Sequence, residues 1–310
     1  MKKLFFVCVA LATMGLITSC SDENASNSTK SDLVINASIG GAKTRAEKSS
    51  WSKNDAIGVY VTEGTLDKPY LSNTSRYNNI NFVHNGKNFT ASDIYLDETP
   101  ATIYGYYPYN ASATAGTSVP VESSSQTDYL YGVSTSAASI SQKNVDIDMK
   151  HALSMVVFKL RKSATYTEGA GLVTKIVIEN HDASNSFKTA GTLNIQTGAI
   201  TGTSTTGTLT LVPSSGSLLL TETFQNISAI CLPVASTTTK AIRATFTIDG
   251  RTFRFVFPEA TQWQSGYRNN YSLTMGNTGL EIGGEGTDTG IAIEPWGDTT
   301  DSDISLVPVL

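Results

Sequence analysis

Residues 244–257 constrain the fold of this chain more than any other stretch. Asp249-Gly250 is a two-residue turn signal between two alternating runs. Folding back at that turn pairs Ile248 with Arg251, Phe246 with Phe253 and Ala244 with Phe255. Cross-strand partners share a face. Phe246, Ile248, Phe253, Phe255 and Phe257 therefore gather on one side, and Thr245, Thr247, Thr252 and Arg254 on the other. A slip of one residue would turn every apolar side chain to the wrong face. The stretch demands an antiparallel hairpin with one buried face, and Arg251 falls at its mouth, where it reaches water.

The remainder reads the same way. Gly, Ser, Thr and Asn are plentiful, helix formers are sparse, and short β-rich runs are punctuated by turn residues, so the fold class is all-β. Residues 32–39 alternate, with Leu33, Ile35, Ala37 and Ile39 on one face, before Gly40-Gly41 breaks the run. A turn at 51–55 leads into a strand at 56–61. Asn85-Gly86 predicts a two-residue hairpin loop joining 81–83 to a strand around Phe89. Residues 102–109 form a strand stopped at Pro108, and 129–133 a short one. The length suits two domains of ordinary size or one large sandwich, and the polar stretch at 142–150 before the apolar run 151–160 is taken as a domain boundary, dividing 32–149 from 150–296. Further strands are expected at 173–179, 191–198, 208–212, 227–233, 267–275 and 290–296. Residues 297–310 are read as a tail or as a strand for export to another molecule. Ile304, Leu306 and Leu310 share one face there and Val307 and Val309 the other, while Pro308 restricts the segment to a sheet edge or strand end.

The amino-terminal residues address the chain. Lys2 and Lys3 precede an apolar run at 4–16, too short to span a bilayer, and Ile17-Thr18-Ser19-Cys20 closes it. This resembles the lipobox of bacterial lipoproteins. The resemblance implies a signal peptide at 1–19, cleavage between Ser19 and Cys20, acylation of Cys20, and an outer-membrane location with 20–31 as tether. Asp22-Glu23 behind the lipid site also resembles a surface-export signal. With Cys8 in the leader and Cys20 lipidated, Cys231 remains alone, so no internal disulfide is available. Cys231 is expected as a small buried hydrophobe.

Chemistry is hard to place on this sequence. His84, His151 and His181 lie far apart, without metal-ligand spacing. Asp298, Asp301 and Asp303 lack the closing Glu of a calcium loop. No nucleophile elbow or phosphate-cradling loop occurs. No catalytic residue, cofactor or metal is assigned. Charged residues make up 16% of the chain and the net charge is −5, so no nucleic-acid footprint is expected. Tyr104, Tyr106, Tyr107 and Tyr109, with Trp263, Tyr267 and Tyr271, are read chiefly as covering sheet faces. A glycan- or protein-binding face on a monomeric surface lipoprotein is the alternative.

Several stretches together resemble the fimbrillin-like lipoproteins, subunits of type V pili in gut and oral anaerobes. They are the lipobox, Thr44-Arg45-Ala46 ahead of Trp51-Ser52-Lys53-Asn54-Asp55, Tyr104-Gly105-Tyr106-Tyr107-Pro108-Tyr109, the strand from His151, Gly191-Thr192-Leu193-Asn194, 263–271, and Pro295-Trp296. The resemblance implies two tandem transthyretin-like β-sandwich domains and an adhesive structural subunit whose partners are other pilin subunits, the outer membrane and a surface receptor. It also implies proteolysis between Arg45 and Ala46, release of the strand carrying Leu33, Ile35, Ala37 and Ile39, and its replacement by an extended strand of another subunit. Ile304, Leu306 and Leu310 are the candidates for that incoming strand.

Overall fold

A computed structural model describes residues 32–40, 48–203, 207–283, 290–296 and 304–309. Cys20, Ser19, Arg45, Ala46 and Leu310 lie outside these residues, as do Asp298, Asp301 and Asp303. The strands of the first half are β1 (Val34–Ile39), β2 (Ala56–Thr62), β3 (Ile80–His84), β4 (Phe89–Thr90), β5 (Thr102–Tyr107), β6 (Val119–Glu122), β7 (Leu130–Val133) and β8 (Asn144–His151). They are followed by β9 (Ser154–Lys162), β10 (Leu172–Asn180), β11 (Ala190–Leu193), β12 (Ile200–Gly202), β13 (Thr208–Pro213), β14 (Leu218–Leu219) and β15 (Gln225–Cys231). The last are β16 (Ile242–Ile248), β17 (Arg251–Val256), β18 (Tyr267–Gly276), β19 (Gly279–Ile282), β20 (Ile291–Pro295) and β21 (Ile304–Pro308). The only α-helix among the described residues is the single turn Thr74–Tyr77.

Hydrogen bonding closes β1-β4-β3-β2-β5-β7-β8 into a ring around one apolar core, which includes Leu33, Ile35, Phe82, Phe89, Ile103 and Ile147. Eleven strands form a second sheet along β17-β16-β10-β13-β21-β15-β9-β18-β19, with β14 on β10 and β20 on β18. It curls around a second core containing Phe158, Phe246, Phe257, Trp263 and Tyr271. A small sheet, β12-β11-β6, ties the two halves, because β6 belongs to the first and β11 to the second. Between them lies a third core, where Tyr60, Tyr104 and Tyr106 meet Met155, Val157 and Ile230.

The hairpin at 244–257 has the expected register, Ile248 with Arg251, Phe246 with Phe253 and Ala244 with Phe255. Phe246, Ile248 and Phe257 are fully buried, and Arg251 is exposed. Two other expectations change. The polar stretch before His151 is a barrel strand: Val145, Ile147 and Met149 point inward while Asp146, Asp148 and Lys150 point out. β8 runs through to His151, past the boundary expected after 149, and the next strand starts at Ser154. The loop after β3 also holds four residues, not two, since His84 pairs with Phe89. The Asn85 side chain accepts hydrogen bonds from the N–H groups of Lys87 and Asn88 and so builds the wider turn.

Candidate functional site

β1 is the strand on which the barrel closes. It runs parallel to β8 over six positions, from Val34 opposite Asn144 to Ile39 opposite Met149. On its other edge it meets β4 only at Val34 and Ile35. Parallel neighbours need long connections, and here Asn36 and Asp146 are 110 residues apart in sequence. Leu33 and Ile35 are fully buried, while Ala37 and Ile39 pack against the same core from half-buried positions. The period-2 pattern of the sequence thus sets four apolar side chains into one groove.

Past the end of β4, a side chain takes over the neighbour's part. The Trp51 indole Nε1–H donates to the Ala37 carbonyl at 2.6 Å. The ring stands edge-on to Phe89 at 4.9 Å and to Tyr107 at 5.5 Å. The Lys48 ammonium lies over both rings, 5.2 Å from Trp51 and 4.8 Å from Tyr107, and pairs with Asp55 at 2.6 Å. Burial raises the Tyr107 phenol, partly offset by Lys48.

The exposed side of the groove is acidic. Asn36 donates to the Asp146 carboxylate at 3.0 Å, and the Ser38 hydroxyl donates to Asp148. Below the strand's end, Asp128 is buried and accepts from the Lys48 backbone N–H at 3.1 Å and from His151 Nδ1 at 3.0 Å. His151 stacks on Trp296 with ring centroids 4.4 Å apart. One carboxylate therefore joins the start of the segment after Arg45 to the end of β20.

The other candidate strand is docked in its own chain. β21 lies between β13, antiparallel at Leu211–Pro213, and β15, parallel at Ile227 and Ser228. Leu306 is buried and Ile304 packs on the second core, whereas Val307 and Val309 are exposed. The structure thus brings Leu33, Ile35, Ala37 and Ile39 together, and holds Ile304 and Leu306 in a different sheet.

Of the aromatic groups, Tyr104, Tyr106, Trp263 and Tyr271 are buried and Tyr267 is exposed. Trp263 is fully buried and donates from Nε1 to the Tyr271 hydroxyl at 2.9 Å, while Tyr104 and Tyr106 face the core between the halves. Cys231 is buried, as expected, and burial raises its thiol. Among the described residues, no three His, Cys, Asp or Glu side chains group as metal ligands. Trp51, Asp146 and Asp148 were not singled out by the sequence as groove residues, although Trp51 belongs to the 51–55 turn and the two acids alternate with buried residues.

The described residues are all-β, and their first strand closes the barrel against a parallel partner far along the chain. The model of the family described as fimbrillin-like matches residues 44–296, and the chain belongs to that family. A Bacteroides uniformis protein, provisionally named fimbrium subunit Fim1C, is 28% identical over 302 residues, covering 91% of this chain and 93% of its own. Among solved structures, a protein of the same organism provisionally assigned to cell adhesion superposes with a TM-score of 0.62 at 22% identity, over 85% of this chain and 98% of its own. A Bacteroides ovatus protein with the same provisional assignment gives 0.59 at 20% identity, over 86% and 98%. These two share the fold.

Proposed function

We propose that this chain is a structural subunit of a cell-surface fimbrium that supports adhesion and assembles by strand exchange. Its precursor is anchored in the outer membrane through lipid on Cys20. A trypsin-like cut between Arg45 and Ala46 separates β1 from the chain that follows Lys48. The observation that carries this reading is β1 itself, a ring-closing strand with fully buried Leu33 and Ile35, lying directly before the segment that contains Arg45.

The energetics support a strand that leaves only when another replaces it. Burying a large aliphatic side chain contributes about 1.5–3 kcal/mol, so four inward residues, one an alanine, contribute on the order of 5–8 kcal/mol. That equals much of the total stability of a typical domain. An emptied groove is refilled through main-chain pairing and alternate side-chain pockets. Partners are accordingly other subunits of the same kind.

N-terminal sequencing of material shed from cells tests the reading. A chain beginning at Ala46, together with ladders that survive denaturing gels, is the expected result. Acylated Cys20 as the sole N-terminus, with no ladder, would remove strand exchange.

A further inference from the structure

We propose that the cavity between the end of β8 and the end of β20 is a binding site for a small organic carboxylate. Its volume is about 340 Å³, and both halves of the molecule contribute walls. Tyr131, Lys150 and His151 come from the barrel strands β7 and β8, Ser265 from the turn before β18, and Trp296 from the end of β20. The site does not rest on strand exchange: of the segment before Arg45 it takes only Gly40, which brings no side chain.

Two stacked rings supply the unmet polar groups. Trp296 and His151 lie with their ring planes 7° apart and their centroids 4.4 Å apart, and both residues are buried. The main chain pins Trp296 in place, its backbone N–H donating to Gly266 O at 2.7 Å. Its indole Nε1–H is nonetheless buried and without a partner. An indole N–H can only donate, and a buried donor left unpaired costs free energy that an acceptor would recover. On His151, Nδ1 lies 3.0 Å from both Asp128 oxygens, while Nε2 is buried and without a partner. An ionised carboxylate only accepts, so the proton between the two groups sits on Nδ1. Nε2 becomes a second donor once the ring is doubly protonated, with the Asp128 charge to balance it.

The charge at the site is that of one cation. Lys150 stands opposite Tyr131 in the β7–β8 ladder, is exposed, and forms no ion pair among the described residues. None of the residues lining the cavity is an acid. Asp128 is taken by the Lys48 N–H and His151, and Asp148, two residues before Lys150, accepts from Ser38. The lining thus offers donors, from Lys150, Trp296 and Ser265, around a single uncompensated positive charge. A monoanion neutralises that charge, through hydrogen bonds stronger than neutral ones. A sulfate or phosphate dianion would bring a second charge with no cation to pair it beside buried rings, which is costly. The volume is at the small end of ligand pockets, about 300–1,000 Å³, and suits one sugar ring or a short-chain acid. The same carboxylate can therefore come from the uronic acid of a glycan or from a free acid.

The test is an NMR titration of the full chain with glucuronate, acetate, glucose and sulfate. The chain has three tryptophans, and the Trp296 indole N–H signal is the one that disappears in Trp296→Phe. A carboxylate is expected to move that signal and to leave those of Trp51 and Trp263, whose N–H groups are already bonded to Ala37 O and the Tyr271 hydroxyl. Glucuronate binding without acetate assigns the source to an acidic glycan, and acetate binding assigns it to a free acid. Lys150→Met removes the cation and is expected to weaken the bound carboxylate about tenfold. Lys150 is exposed, so this variant is expected to keep the thermal midpoint of the wild type. Lys175→Met, on an exposed lysine outside the cavity, is expected to bind as the wild type does. No movement of the Trp296 signal with either carboxylate would overturn the site, as would wild-type affinity in Lys150→Met or an equal loss in Lys175→Met. Glucose or sulfate binding as tightly as the carboxylates would overturn the ligand class.

Discussion

At the scale of single residues, Trp51 is the side chain to change. Trp51→Phe keeps an aromatic ring between Phe89 and Tyr107 but removes the N–H that holds the Ala37 carbonyl. One net hydrogen bond contributes about 1 kcal/mol, and the thermal midpoint of the uncut chain is expected to fall accordingly. Trp51→Ala also removes the ring contacts of a half-buried aromatic and is expected to cost about 2–3 kcal/mol, below the range for a fully buried one. The sharper measurement is trypsin sensitivity at Arg45, expected to rise in both variants as β1 loosens. Buried phenols set a second expectation. Burial pushes Tyr106 and Tyr271 each up to about 12. Their folded pKa values lie above the unfolded value near 10, so the stability they lend is complete below pH 10 and is lost as pH rises toward 12. Phenolate absorbance at these sites is expected to appear together with loss of tertiary structure across that window. Tyr106 is further fixed by Gly58, where any Cβ would run into its ring. Gly58→Ala is disruptive for that reason.

Among the elements, the β16–β17 hairpin shows why some of the fold was legible in advance. Its register depended on an alternation and a turn only a few residues apart, so local sequence carried both. β8 was missed because Asp146, Asp148 and Lys150 dominate its composition, although every second residue faces the core. β1 was legible as a strand, yet its partners were not: parallel pairing with β8 and the Trp51 hydrogen bond to Ala37 are tertiary facts with no local signature. The docking of β21 between β13 and β15 was hidden for the same reason. The hairpin turn also carries a testable charge. Partial burial opposes ionisation of Asp249, but the Leu172 and Gly171 N–H groups and the Tyr166 hydroxyl outweigh it, and the pKa is lowered. A depressed folded pKa gives stability that is present above the ordinary aspartate range near 4 and is lost as pH falls through the folded value. Asp249→Ala is expected to cost about 1–3 kcal/mol at neutral pH. In pH-dependent denaturant melts, the gap from wild type is expected to narrow in acid.

For the molecule as a whole, the joint between barrel and second sheet depends on Gln126. Its side-chain amide donates to Ile230 O at 2.9 Å and accepts from Ile230 N–H at 2.8 Å, as a neighbouring strand would. β21 pairs with β15 only at Ile227 and Ser228, so Gln126 satisfies the edge that β21 leaves open. Gln126→Ala orphans a buried donor and acceptor and is expected to cost about 2–4 kcal/mol. Calorimetry is expected to show the single transition of the wild type broadening or splitting, because the residue belongs to the joint rather than to either core.

The order in which the ring closes has a consequence for biosynthesis. A nascent chain presents β1 long before β8, its parallel partner, because 110 residues must emerge between Asn36 and Asp146. Over that interval the first strand has only the short β4 beside it, and the barrel stands open. Contacts so distant in sequence form slowly. Throughout that interval β1 keeps the edge meant for β8 unpaired, and an open strand edge of this kind invites pairing with other chains unless something covers it.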